Sequence, residues 1–265
     1  MVKRDAPSGK VVAIIQARMG STRLKGKVMK EIVGKPILQH VLERVTASRL
    51  VDASILATTC NQEDDMLIEL CDVIGVSSFR GSETDVLDRF YECARSYGAD
   101  TVVRITADCP FVDPDIIDKA ITVFREGDSD YVSTAYPIQT FPDGLDVEVF
   151  SFDALRKAWQ TAKLLSEREH VTPYIWKNEK GEFKVESIQN ATDLSDKRWT
   201  VDNEKDFIFV KTIYEALYSE NTIFKFDDII SYLNENPELE KINAGTKRNE
   251  GYLKSLGEDE KARFN

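Results

Sequence analysis

Strand-sized apolar runs alternate with helix-sized amphipathic segments through the first half of the chain, and this alternation narrows the fold more than any other feature. Val11 to Ala17 reads as a buried strand, followed by a Gly-, Arg- and Lys-rich loop. Pro36 suits the start of a helix from about Ile37 to Ser48. Ala53 to Thr59 reads as a strand, and Asp64 to Gly75 as a helix ended by its glycine. Ser77 to Arg80 is a short strand, Thr84 suits a cap for the helix through Tyr97, and Asp100 to Thr106 is another apolar strand. Such a pattern predicts a three-layer α/β fold with a mostly parallel central sheet and right-handed crossovers.

The second half is less regular. Tyr131 to Thr134, Leu145 to Phe150, Phe183 to Ile188 and Arg198 to Val201 read as strands. Phe152 to Ala162, Arg168 to Lys177, Glu204 to Tyr218 and Phe226 to Asn234 read as helices, ahead of a polar C-terminal tail. Neither a repeat nor a low-complexity linker divides the chain. One domain over residues 11–236 is therefore expected, with tails at 1–10 and 237–265.

Composition excludes several classes of function. At 265 residues and 42% hydrophobic, the chain is long and apolar enough for a proper core. Its net charge of −11 lacks the basic footprint of non-specific nucleic-acid binding, yet permits a small anionic ligand held by local cations. The longest apolar run, Val11 to Ile15, falls far short of the roughly 20 residues of a membrane span, and no signal-peptide core follows Met1 to Lys10. Four cysteines (Cys60, Cys71, Cys93, Cys109) without a C-x-x-C pair read as reduced, buried thiols of a cytoplasmic protein.

In a sheet of this kind ligands bind beyond the carboxyl ends of the strands. Three groups fall there: the loop after the first strand, the loop after Thr106, and Asp202. The first runs Gln16-Ala17-Arg18-Met19-Gly20-Ser21-Thr22-Arg23-Leu24-Lys25-Gly26-Lys27. Its glycines, arginines and lysines make a cationic loop with exposed amides, which is what a di- or triphosphate requires. It is not a P-loop, because Gly20 and Gly26 are spaced differently and Val28 follows Lys27 where a hydroxyl would be needed.

These residues resemble the phosphate-binding signature of the CTP-dependent sugar-acid cytidylyltransferases, which make CMP-activated ketodeoxyoctonate and acylneuraminate. Closer still, the whole chain resembles the spore-coat polysaccharide biosynthesis (SpsF) branch. Arg104 to Pro110, Phe141 to Glu148, Arg168 to Tyr174, Arg198 to Asp202 and Lys247 to Tyr252 carry the likeness. It implies a Rossmann-like nucleotidyltransferase fold with a nucleotide-binding half over 11–130 and an acceptor and dimerisation region over 131–200, CTP as a substrate, a small anionic acceptor, Mg2+, a homodimer and a role in surface polysaccharide biosynthesis. It also implies that Arg18, Gly20, Ser21, Arg23 and Lys27 hold the triphosphate, flanked by Gln16, Ala17 and Thr106. Asp108 and Asp202 match the two metal-holding acids, and Arg80 lies where the family contacts the nucleoside. Lys247 and Arg248 are expected to fold back near the site or a dimer partner.

The chemistry suits these residues. An acceptor oxygen attacks the α-phosphorus and pyrophosphate leaves, so the protein's part is positioning and charge neutralisation. Magnesium takes one or two carboxylates plus phosphates and water, which Asp108 and Asp202 supply if their segments lie side by side. Arg18, Arg23 and Lys27 then meet the charge that builds on pyrophosphate. Asp108 equally suits a turn cap, and Asp202 an N-cap for the helix from Asn203. On the acceptor side stand Arg104, Asp143, Asp146, Glu148, Arg168 and His170. The acidic trio fits acceptor hydroxyls or an amine, a metal, or a pairing with Arg168; His170 fits a proton acceptor, a phosphate ligand or a structural role. Two rival readings are a glycosyltransferase using Asp113-Pro114-Asp115 and a non-catalytic coat protein.

Overall fold

The computed structural model describes residues 9–219, 221–246 and 248–263. Lys247, expected near the site, and most of the N-terminal tail lie outside the described residues. Among the described residues nine strands and ten α-helices follow in chain order: β1 (Val11–Gln16), β2 (Glu31–Ile32), β3 (Lys35–Pro36), α1 (Ile37–Thr46), β4 (Ala53–Thr59), α2 (Asp65–Ile74), β5 (Ser77–Gly81), α3 (Val86–Ser96), β6 (Thr101–Thr106) and α4 (Pro114–Glu126). Then come β7 (Tyr131–Ser133), β8 (Glu148–Ser151), α5 (Phe152–Thr161), α6 (Leu165–His170), α7 (Pro173–Lys177), β9 (Val185–Ser187), α8 (Glu204–Leu217), α9 (Phe226–Glu235) and α10 (Glu250–Arg263).

Seven strands form one sheet in the order β5-β4-β1-β6-β8-β7-β9. β5, β4, β1 and β6 run parallel, while β8 is antiparallel to both its neighbours. Strand alternation splits the apolar residues into two cores, giving the three-layer architecture. Val11, Ala13 and Ile15 face one core with α1, α4, α8 and α9. Val12 and Ile14 face the other, with α3 and α5. Both central strands are buried on both faces, as continuous apolar strands of a parallel sheet must be. No helix among the described residues is long and apolar enough to cross a membrane.

Several expected elements differ, each for a local reason. Asp85, not Thr84, caps α3, accepting from the Asp88 amide at 2.9 Å. The helix expected over Arg168–Lys177 is broken at Val171, which has φ of 70°. Pro173 opens α7 there, and the residue before a proline disfavours continued helix. Arg198 to Val201 does not join the sheet; its backbone pairs with Asp143 and the Val201 amide donates to the Asp108 carbonyl at 2.8 Å. The polar tail contains the helix α10, and Cys60 is exposed at the end of β4 instead of buried.

Candidate functional site

The carboxyl ends of β1, β4 and β6 open onto the cationic loop. Asp64 shapes that loop from beneath: buried, it accepts the Met19 amide at 2.7 Å and the Thr59 hydroxyl at 2.5 Å. The chain then turns through Gly26, with φ of 64°, into a short 3-10 turn that carries Lys27 inward.

Lys27 joins the two acids singled out from sequence. Its Nζ lies 2.6 Å from Asp108 Oδ2 and 2.8 Å from Asp202 Oδ1. Burial lowers the Lys27 pKa, but the two carboxylates outweigh that and raise it. Burial likewise opposes ionisation of Asp108, and the Lys27 ammonium overrides it, holding the carboxyl down at about 2. Arg23 Nη2 meets the same Asp202 oxygen at 2.7 Å. Asp202 is not the helix cap: Asn203 caps α8, accepting from the amides of Lys205 and Asp206.

Arg198, which the sequence reading did not assign to the site, organises the floor. Its guanidinium reaches Asp143 at 2.7 Å, Asp202 at 2.8 Å and Asp206 at 3.0 Å. Arg248 adds a second guanidinium, 2.5 Å from Asp146 and 3.5 Å from Asp143. Burial and the adjacent Asp146 push Asp143 up to about 7, and burial raises Asp146 as well. The signals for Arg198 were its place in the Arg198 to Asp202 segment of the family likeness, its i,i+4 spacing to Asp202 and the density of acids upstream.

The other acceptor-side candidates divide. Glu148 is buried and fully engaged, accepting from Arg104, the Tyr131 hydroxyl at 2.7 Å and Thr172. Arg104 also donates to the Gln16 side chain at 3.1 Å, a side-chain tie between β6 and β1. Arg168 does not pair with the acidic trio; it binds Asp85 and the Trp159 carbonyl. His170 sits 3.2 Å from Ser255 Oγ, with burial pulling its pKa down to about 4.

The remaining nucleotide-side candidates border the loop at different depths. Arg18 is half-exposed, 3.9 Å from Glu83, and its charge adds to the burial that depresses Arg89 to about 10. Arg89, also missed from sequence, is a buried cation whose Nε finds no partner. Arg80 on β5 is bound to Asp65. Gln16 and Ala17 continue β1 toward the loop, where the Ser21 amide closes a turn onto the Met19 carbonyl at 2.8 Å. Gly20 lies within this turn, and Thr106 Oγ1 stands 3.1 Å from Cys109 Sγ. Asp113, the first acid of the Asp-Pro-Asp segment, is buried and caps α4.

Buried or partly buried around this floor are six carboxylates (Asp108, Asp143, Asp146, Glu148, Asp202, Asp206) and four cations (Lys27, Arg104, Arg198, Arg248). That acidic surplus, with two hard carboxylate oxygens converging on one point, fits a divalent cation that shares its coordination with phosphate. Among the described residues no three acidic, His or Cys side chains converge into a self-sufficient metal cage.

Comparison with known proteins identifies the family of the chain. The cytidylyltransferase family profile matches residues 12–259. An uncharacterised protein of Methanocaldococcus jannaschii is 42% identical, over 90% of this chain and 96% of its own. The spore coat polysaccharide biosynthesis protein SpsF of Bacillus subtilis is 32% identical, over 86% of this chain and 95% of its own. A cytidylyltransferase structure from Leptospira borgpetersenii superposes with a TM-score of 0.83 at 32% identity, covering 90% of this chain and 99% of that one.

Proposed function

The chain belongs to the cytidylyltransferase family, and on that footing we propose that it joins the CMP moiety of CTP to a sugar acid or a phosphorylated sugar or alditol. Pyrophosphate is released, and the product feeds surface polysaccharide biosynthesis. The observation that carries the reading is the meeting of Asp108 and Asp202 on Lys27, directly under the cationic loop.

In this reading the amides and cations of the loop (Arg18, Gly20, Ser21, Arg23, Lys27) bind the triphosphate, while Gln16, Ala17, Arg80 and Thr106 border the nucleoside. The acceptor oxygen attacks the α-phosphorus in line, forming one P–O bond as the bond to the β-phosphate oxygen breaks. Arg18, Arg23 and Lys27 hold the negative charge that moves onto the leaving pyrophosphate. Asp108 and Asp202 are the residues that would hold magnesium, which when bound would supply charge neutralisation at the α-phosphate. Arg198 fixes the Asp202 carboxylate through its Oδ2 and leaves Oδ1 facing Lys27.

The acceptor lies on the side of Arg104, Asp143, Asp146 and His170. Glu148 acts there by orienting Arg104, because its own oxygens are taken up by protein donors. The reading extends to a homodimer, on the family likeness alone, and to the cytoplasm, on the cysteine pattern.

Incubating the purified protein with CTP, magnesium and a panel of sugar acids, phosphorylated sugars and alditols tests this. The expected outcome is acceptor-dependent pyrophosphate release with a cytidylylated product seen by mass spectrometry. Absence of both pyrophosphate release and CTP binding overturns it.

A further inference from the structure

Two residues close together in the C-terminal segment reach opposite sides of the site. Arg248 grips Asp146 on the acceptor side, and Glu250 accepts from Arg23 Nη1 at 2.7 Å on the triphosphate side. Between them Asn249 has φ of 58°, a left-handed turn that redirects the chain into α10. α10 then lies along α6. Asp259 accepts from the Ser166 amide at 3.3 Å, Ser255 Oγ donates to Glu169 at 2.5 Å, and the Tyr252 ring meets His170 edge-on at 5.2 Å.

The manner of attachment is unusual for a helix of this length. None of its residues belongs to either hydrophobic core, and Leu253 is 55% exposed. Polar bonds and ring edges hold it, so it can leave its seat without opening a core. Arg248, by contrast, is well buried against two carboxylates and anchors the segment.

Arg23 is a triphosphate ligand in the function proposed above, and this inference rests on that reading. Glu250 stands on the guanidinium that the triphosphate must use, and the two anions repel each other. We propose that α10 is a strap displaced by the nucleotide: triphosphate binding expels Glu250 from Arg23, α10 loosens from α6, and the acceptor side around His170 and Glu169 opens. Arg248 and Asn249 form the hinge. Nucleotide thus binds first and admits the acceptor.

Hydrogen–deuterium exchange of the full chain with and without CTP tests the strap, together with CTP titrations of the wild type, Glu250→Gln and Glu258→Gln. Glu258 lies on α10 beside Lys254 and controls for the loss of one negative charge. CTP is expected to protect residues 16–30 while raising exchange over 249–263. Glu250→Gln should raise that exchange without nucleotide and tighten CTP roughly two- to five-fold, the range set by an exposed ion pair. Glu258→Gln should match the wild type. Protection of 249–263 by CTP, or no effect of Glu250→Gln on exchange or affinity, overturns the strap while leaving the nucleotide site intact. Failure of CTP to protect 16–30 overturns the nucleotide reading, and the strap with it.

Discussion

Asp108 and Asp202 meet on one ammonium, with Lys27 Nζ 2.6 Å from the first and 2.8 Å from the second. One acid lies near the start of the loop after β6, the other precedes α8, and backbone bonding from Val201 to Asp108 brings the segments together. Lys27 therefore compensates two carboxylates that would otherwise repel at short range.

Replacing Lys27 by Met leaves both acids facing each other with only Arg23 and Arg198 on Asp202. Breaking a buried ion pair on one side costs about 3–5 kcal/mol, and the lower end is expected here because those arginines remain. Added magnesium should raise the melting temperature of Lys27→Met more than that of the wild type. Equal magnesium shifts in the two proteins would show that the acids do not form a cation site.

Arg198→Leu removes the donor shared by Asp143, Asp202 and Asp206. Denaturant titration should show a loss of about 3–5 kcal/mol. Arg198→Lys should recover little of it, since one ammonium cannot span three carboxylates as a planar guanidinium does. Full recovery by Lys would mean that charge alone suffices.

His170 sets a pH dependence whose sign is fixed. Its folded pKa, near 4, lies below the ordinary value of 6.5, chiefly through burial, so the unfolded chain binds the proton more readily. Stability from this group is intact above pH 6.5 and falls as pH drops toward 4, by at most about 1.4 kcal/mol per pH unit. His170→Gln should flatten the slope of unfolding free energy in that window. An unchanged slope would assign the dependence to other groups.

Gly144 has φ of 108°, and a Cβ there would stand 2.6 Å from the Thr200 amide nitrogen and the Trp199 carbonyl carbon. Gly144→Ala must push apart the turn that carries Asp143 and the segment that carries Asp202. A loss of at least about 2–3 kcal/mol is expected from left-handed strain plus the clash. Gly34→Ala, at φ of 79° with open space around it, should lose only about 1–2 kcal/mol, and thermal unfolding of the two variants compares the losses.

The fold class was legible because β1, β4 and β6 each carry an apolar run and their helices are amphipathic, a pattern that local sequence alone carries. The cationic loop and both key acids were legible for a similar reason: each sits at a strand or segment end beside diagnostic neighbours. Arg198 was not, because its role comes from three acids brought together only by tertiary packing. Arg168 was misplaced in one reading for the same reason, since its partner Asp85 lies on the far side of α3 in sequence. The polar tail reads as tail because α10 has no apolar stripe; polar bonds to α6 and to the site hold it instead.

The central claim is that the paired acids and the cationic loop bind CTP with magnesium. Isothermal titration with CTP, UTP, GTP and ATP, each with and without magnesium, tests it most directly in the wild type and Asp108→Ala. The account predicts selective CTP binding that strengthens with magnesium in the wild type and loses that strengthening in Asp108→Ala. Binding of no nucleotide by a folded wild-type protein, or a magnesium response unaffected by Asp108→Ala, would contradict it.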